Sequence, residues 1–134
     1  MKPIKIFSIL LMLCLGIATV ATAQPAAVKK AANTTFTLTT FDAKGSILST
    51  SNGVFVSNNG ICVSTWKPFV GAMKAEVTDN NGQKYSVETI LGANELYDVA
   101  KFKITAKTNA ALFAPSVVAN SAAWIVMPSQ AGTP

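Results

Sequence analysis

The 134-residue chain contains no histidine and no arginine, and its two cysteines are Cys14 and Cys62. Without an imidazole, histidine-based general base catalysis and zinc sites built on histidine ligands are excluded. Eleven lysines against six acidic residues give a formal net charge of +5. Most of the lysines stand singly among apolar residues, which is typical of solvated strand faces rather than of a nucleic-acid-binding patch. The sequence therefore predicts no metal, no cofactor and no nucleic-acid partner.

The first 23 residues have the three parts of a secretory signal peptide. Lys2 and Lys5 precede an apolar run over residues 6–20, and residues 21–23 supply the small side chains at which signal peptidase cleaves. The apolar run is shorter than the roughly 20 residues that a helix needs to span a bilayer, which disfavours a retained anchor. We therefore expect an exported domain, periplasmic or secreted, that begins at Gln24 and is not stably inserted in a membrane.

Removal of this segment, which contains Cys14, would leave Cys62 as the one cysteine of the mature domain. A single cysteine cannot form an internal disulfide, so the fold must be held by its apolar core. Cys62 lies between Ile61 and Val63, which predicts a buried side chain that packs as a small hydrophobe. A nucleophilic cysteine would need a basic partner, and the missing histidine is the usual one.

The mature chain has the pattern of an all-β barrel. Residues 24–33 have no apolar periodicity and are expected to form a flexible leader. From Thr34 onwards, runs rich in Thr, Val, Ile and Phe are separated by turn signals about every eight to twelve residues, the spacing of sandwiches and barrels. The strongest turn signals are the Asp- or Asn-containing segments that end in glycine, at residues 42–45, 58–60 and 79–82.

These turn signals separate six or seven predicted strands, among them residues 53–56 and 61–64 on either side of the turn at 58–60. In residues 99–104, Phe102 and Ile104 face one way and the two lysines the other. No stretch has the pattern of a long amphipathic helix. Closure of the sheet would remove the exposed edges of such short strands, so we predict an antiparallel barrel over residues 34–128 and a tail over residues 129–134. The last predicted pair of apolar strands comprises residues 116–120 and 123–127.

Four segments, in order, resemble the first barrel of trypsin-like serine proteases, most of all those of the Deg/HtrA type. Residues 51–60, SNGVFVSNNG, resemble the opening hairpin, and residues 74–85 resemble a later strand–turn–strand unit. Residues 95–104, ELYDVAKFKI, are similar to the block that holds the catalytic aspartate. Residues 123–128, AWIVMP, resemble the strand that closes the barrel. The resemblance implies a six-to-seven-stranded Greek-key barrel related to serine endopeptidases.

The resemblance also assigns two site positions. Asp98 matches the aspartate that orients the histidine in the triad mechanism, and Lys67 stands where the histidine itself would be. A lysine ammonium keeps its proton at neutral pH unless it is strongly desolvated, so Lys67 is not expected to be catalytic. Ser121 and Ser129 lack the glycines that surround the nucleophile of the family. We therefore expect a vestigial Asp98, an inactive domain, and a Lys67–Asp98 ion pair.

Three functions remain open from the sequence. A degenerate protease domain would bind a polypeptide or a second protease barrel. The chain would equally fit the N-terminal fragment of a longer serine protease whose second, serine-bearing barrel is missing. An unrelated exported β-barrel binding module is the third alternative. In the first two cases a lone barrel exposes apolar surface, so we also expect self-association.

Overall fold

A computed structural model describes residues 26–128 of the chain. Its elements, in chain order, are the helix α1 (Ala26–Ala32), the strands β1 (Thr35–Phe41), β2 (Ile47–Phe55) and β3 (Ile61–Ser64), a 3-10 turn (Lys67–Phe69), and the strands β4 (Lys74–Asp79), β5 (Lys84–Asn94) and β6 (Val99–Ile104). The predicted signal peptide with Cys14 and the predicted tail over residues 129–134 lie outside the described residues.

The six strands form a closed antiparallel barrel in the order β1-β2-β3-β6-β5-β4. Four hairpin-type pairings join strands that follow one another in sequence. Two long-range pairings complete the barrel, β1 with β4 (Leu38 opposite Val77) and β3 with β6 (Cys62 opposite Phe102). The predicted all-β antiparallel barrel is confirmed, with six strands.

The predicted strands beyond β6 are not formed. Residues 116–120 and 123–127 have no regular secondary structure, and their side chains are mostly exposed. The barrel is already closed without them, because β1 and β3 use β4 and β6 as their second neighbours. The sequence prediction was wrong here because apolar β-branched residues form a strand only where a partner strand is available.

The core follows from the alternation of side chains along each strand. In β6, Ala100, Phe102 and Ile104 are buried while Lys101 and Lys103 are exposed, as the sequence predicted. The buried apolar cluster comprises Phe36, Leu38, Phe55, Cys62, Ala75, Val77, Ala100, Phe102 and Ile104. Burial of each large apolar side chain contributes about 1.5–3 kcal/mol, so this cluster is the main source of stability.

Gly53 is required by the packing of Phe36. The Phe36 ring lies 4.8 Å from the ring of Phe55 and 5.9 Å from that of Phe102, measured between centroids. A Cβ at Gly53 would lie 2.3 Å from the Phe36 ring. The glycine therefore leaves room for the largest aromatic contact of the core.

Aspartate side chains build two of the predicted turns. Asp42 Oδ1 accepts hydrogen bonds from the backbone N–H groups of Lys44 and Ser46, at 2.8 and 3.0 Å. Asp79 Oδ1 accepts those of Asn81 and Gln83, both at 2.9 Å. In each turn a glycine adopts positive φ, which L-residues with a Cβ adopt only at a cost.

The two ends of the barrel carry different residues. One end holds the β2–β3 and β4–β5 turns with Asn58, Asn59, Asn80 and Asn81, and we call it the asparagine end. The other end holds the β1–β2 turn, the 3-10 turn and the β5–β6 connection, where exposed apolar side chains concentrate. We call it the apolar end; its exposed large side chains are Ile47, Leu48, Val70, Met73, Ile90, Leu91, Leu96, Tyr97 and Val99.

The segment predicted as a flexible leader contains α1, in which no residue is buried. The helix is alanine-rich, and alanine has the highest helix propensity. At its end the Thr34 and Thr35 hydroxyls donate hydrogen bonds to the carbonyls of Ala31 and Ala32, each at 2.7 Å. Asn80 Nδ2 also donates to Ala32 O at 2.6 Å, which attaches the helix to the asparagine end. Within residues 26–128 no helix has the length and apolar character to cross a membrane.

Candidate functional site

Asp98 lies at the apolar end, where the β5–β6 connection enters β6. Its φ is +53°, a left-handed conformation that aspartate adopts more readily than most residues. Its Oδ1 accepts hydrogen bonds from the backbone N–H groups of Trp66, at 2.9 Å, and Lys67, at 2.7 Å. The Asp98 carboxylate thus fastens the β5–β6 connection to the start of the 3-10 turn.

Lys67 is the first residue of that 3-10 turn, and its side chain is exposed. The predicted proximity of Lys67 and Asp98 is present, but the contact is made by the Lys67 backbone. The predicted ion pair between the two side chains is not formed; within residues 26–128 the ion pair present joins Lys74 and Glu76, at 3.0 Å. The reason is geometric, because Asp98 Oδ1 is directed at two main-chain amides while the Lys67 side chain extends from the surface.

The residues around Lys67 pack onto the barrel. Pro68 is buried, and Trp66 stacks on Phe69 with 6.1 Å between centroids and 22° between planes. Phe69 in turn meets the core residue Phe102 edge-on at 5.2 Å. Trp66 therefore packs on the rim of the barrel, against the core. The 3-10 turn therefore covers the apolar end of the core, and the backbone at Lys67 is held from two sides.

Serine hydroxyls in the described part of the chain bond elsewhere than to Lys67 or Asp98. Ser51 Oγ lies 2.7 Å from Thr65 Oγ1, and Ser64 Oγ donates to Asn52 O at 2.7 Å. Ser121 Oγ donates to Val118 O at 2.7 Å, inside the segment after β6. Ser129 lies outside the described residues. The geometry brings together the two predicted site residues, Asp98 and Lys67, and adds no hydroxyl nucleophile to them.

Cys62 is buried in β3 opposite Phe102, as the sequence predicted. Burial raises the pKa of its thiol to about 12, because the desolvated thiolate is disfavoured. The neutral thiol lies 3.5 Å from Gly60 O. Within residues 26–128 no group of three or more His, Cys, Asp or Glu side chains is placed to hold a metal ion.

Thr108 organises the asparagine end, and sequence reasoning missed it. Its Oγ1 donates to Ser57 O at 2.6 Å and accepts from Gly60 N at 3.2 Å. Its own N–H donates to Asn58 O at 3.1 Å. Further along, Ala111 N donates to Phe55 O at 2.8 Å. The segment after β6 is thereby attached to the β2–β3 hairpin, a contact that no periodicity in the sequence could have indicated.

A polar hollow of about 310 Å³ lies beside this attachment and is lined by Asn33, Phe55, Asp79, Asn80, Asn81, Tyr85, Lys107, Thr108 and Asn109. Burial raises the pKa of Tyr85, and the charge of Asp79 together with its hydrogen bond to the tyrosine raises it further. The hollow is lined by amides together with the Tyr85 phenol, the Asp79 carboxylate and the Lys107 ammonium. Asp79 Oδ1 also accepts the turn hydrogen bonds of Asn81 and Gln83, so this carboxylate has a structural role.

No protein-family model matches the chain, and no curated protein matches it. Among solved structures, the chain is similar to the crystal structure of the serine endoprotease from Yersinia pestis, with 23 % sequence identity and a TM-score of 0.54. The barrel has the fold of part of a serine endoprotease. The match covers 62 % of this chain and 31 % of that chain, so this chain spans a minor part of the protein it resembles.

Proposed function

We propose that this chain is an exported, serine-protease-related domain that has no proteolytic activity and binds polypeptide. The fold shared with a serine endoprotease supports the relationship to proteases. The observation that carries the loss of activity is the use of Asp98, whose carboxylate holds the backbone of Lys67 rather than a basic side chain. The Lys67 side chain is exposed and has no serine hydroxyl beside it within the described residues, so it is not placed to take the role of the imidazole.

Polypeptide binding is proposed from the apolar end. Its exposed side chains surround the Asp98–Lys67 corner, and exposed apolar patches commonly mark sites of protein interaction. The polypeptide partner would be a substrate-like extended chain or a second protease barrel. The β2–β3 and β4–β5 turns at the asparagine end, in contrast, present asparagine amides, which water solvates well.

The test of inactivity is casein cleavage by the full chain and by its Lys67→His variant. Both are expected to be inactive, since the histidine would lack a serine nucleophile. Cleavage by the unaltered chain that a serine-directed inhibitor abolishes would refute the proposal.

Polypeptide binding is tested by the fluorescence anisotropy of labelled, unfolded casein. We expect Val70→Lys at the apolar end to weaken binding by about fivefold or more, since a charge would be desolvated there. Asn59→Lys at the asparagine end is the matched control and should leave binding unchanged. Equal weakening by the two variants would locate binding elsewhere.

A second candidate is the N-terminal part of a longer serine protease, favoured by the 31 % coverage of the similar endoprotease. Sequencing of the reading frame beyond codon 134 tests it. A G-x-S-G-G segment within about 100 further codons would supply the missing barrel with its nucleophile. The shared fold argues against the third alternative, an unrelated binding module.

A further inference from the structure

The β5 strand has one unpaired edge at the apolar end. It pairs with β4 between Lys84 and Ser86, whereas its pairing with β6 continues from Val87 to Asn94. Within residues 26–128, no strand therefore pairs with the edge of residues 87–94 that faces away from β6. Where β4 and β5 separate, a notch of about 250 Å³ opens, lined in part by Phe69, Met73 and Ile90.

Exposed apolar side chains lie beside this edge, together with the charged Lys74 and Glu88. Met73 retains 74 % of its accessible surface, Ile90 40 % and Leu91 48 %. An unpaired strand edge offers main-chain hydrogen bonds, and neighbouring apolar side chains offer contacts to alternate residues of an added strand. The edge of β5 thus has both parts of a site for strand addition.

The segment after β6 has the complementary properties. Residues 108–128 contain no charged side chain. Within them Trp124 and Ile125 are 63 % and 92 % exposed, although Trp, Ile and Val are favoured in strands. The segment 123–127 is therefore an apolar, strand-forming sequence that has no strand to pair with on its own barrel.

The starting point of this segment favours a second copy over its own barrel. Ala111 is fixed to Phe55 at the asparagine end of β2. In the barrel order, β5 is three strands away from β2 in either direction, so its free edge lies on the opposite wall and at the opposite end. To reach this edge, the segment would have to pass around its own barrel, whereas the segment of a second copy can approach the edge directly.

We propose that residues 123–127 of one copy add as a strand to the free edge of β5, residues 87–94, of a second copy. This inference rests on the proposed polypeptide-binding function and names its partner. Each copy offers one such segment and one such edge, so a two-fold dimer can form both contacts. The uncharged segment would cover Ile90 and Leu91 without bringing a charge into the contact.

Disulfide trapping between two different chains tests the proposal. Thr89→Cys and Ile125→Cys are made separately in a Cys14→Ser background, mixed in equal amounts and exposed to a mild oxidant. The buried Cys62 stays reduced in both chains. We expect a disulfide-linked heterodimer of the two chains, and none when Asn59→Cys replaces Thr89→Cys. Equal trapping of Ile125→Cys by Thr89→Cys and by Asn59→Cys would overturn the proposal. It would also be overturned if a disulfide formed only within a single chain that carries Thr89→Cys and Ile125→Cys together.

Sedimentation equilibrium of charge variants gives a second measurement. Ile90→Lys lies at the edge and should weaken dimerisation by about tenfold or more, because a charge would be buried in the contact. Asn59→Lys adds the same charge at the opposite, asparagine end of the barrel, and should change dimerisation by less than about twofold. The same loss from both variants would show non-specific association and refute strand addition. Casein binding that persists while trapping fails would refute this inference alone and leave the proposed function standing.

Discussion

The asparagine end and the apolar end of this barrel are stabilised by different means. At the asparagine end, many short hydrogen bonds join turns to the segment after β6, with Thr108 as the central residue. At the apolar end, one carboxylate, Asp98, receives two amides from a distant turn, and stacked aromatic rings cover the core.

The two ends of the barrel therefore have different roles: one holds distant segments of the chain together, and the other exposes apolar surface to a partner. The turns of the asparagine end present asparagine amides, and the exposed apolar side chains near that end, such as Leu112 and Phe113, belong to the segment after β6. The end with exposed apolar side chains joins its distant segments through the Asp98 carboxylate and, among the described strands, leaves one edge of β5 unpaired along residues 87–94. A surface for binding and a surface that closes the fold are therefore found at opposite ends of one small barrel.

The largest expected effect contrasts Gly60 with Gly45, which lie at the asparagine and apolar ends and both have positive φ, +87° and +78°. A Cβ at Gly60 would lie 2.1 Å from Ile104 O, whereas one at Gly45 meets nothing within 4 Å. Gly60→Ala should lower the free energy of unfolding by about 3 kcal/mol or more, because alanine is strained at positive φ and its Cβ would also overlap the Ile104 carbonyl. Gly45→Ala adds the strain alone and should cost about 1 kcal/mol. Urea unfolding measures both; equal losses would contradict the tight asparagine end.

The next effect compares the anchoring aspartates. Asp98→Ala should lower the free energy of unfolding by about 2–3 kcal/mol, because two amides of a distant segment lose a charged acceptor. Asp79→Ala breaks a local turn that can be re-solvated and should cost about 1 kcal/mol. Asp98→Asn keeps an acceptor oxygen and tolerates positive φ, so most of the stability should return. A larger loss at Asp79 would reverse the comparison.

A smaller effect is expected at alkaline pH from Cys62. The folded pKa of about 12 lies above the reference value of 9.0, so the folded state holds its proton more tightly than the unfolded chain. The contribution of the thiol is complete below pH 9 and is lost as the pH rises from 9 towards 12. Urea unfolding at pH 8 and 10.5 should therefore show a steeper decline for the unaltered chain than for Cys62→Ala. Parallel declines would show that the thiol is not desolvated.

The smallest effect is expected at Lys67. Lys67→Ala should change the free energy of unfolding by less than about 0.5 kcal/mol, since the side chain is exposed and its backbone amide remains to bond Asp98. Thermal unfolding of the variant beside Asp98→Ala checks this. A loss as large as that of Asp98→Ala would mean that the ammonium itself stabilises the corner.

The sequence was sufficient for the features that depend on neighbouring residues. Alternation predicted β6 with its buried Phe102, and the Asp–Asn–Gly clusters predicted the turns. It also placed the ends of β3 correctly, at Ile61 and Ser64. The middle of β2 was not predicted as strand, because its Ser- and Asn-rich residues are paired by β1 rather than by their own propensity.

Features that depend on residues far apart in the sequence were harder to predict. The resemblance predicted that Lys67 and Asp98 are neighbours, and they are. It did not predict that backbone amides make the contact, because a side-chain pattern carries no information about which main-chain groups a carboxylate will meet. The same lack of partner information led to a strand being expected at residues 123–127, where none forms.

The β3–β6 pairing has a consequence for the order of folding during synthesis. Ile61 pairs with Lys103, so β3 waits for more than forty further residues before its second neighbour exists. Pairings between such distant segments slow folding and prolong the exposure of unpaired strands. A nascent chain that has emerged only to Asn94 carries every strand except the one that completes the barrel. We expect that interval to be when this protein is most readily bound by a chaperone or lost to aggregation.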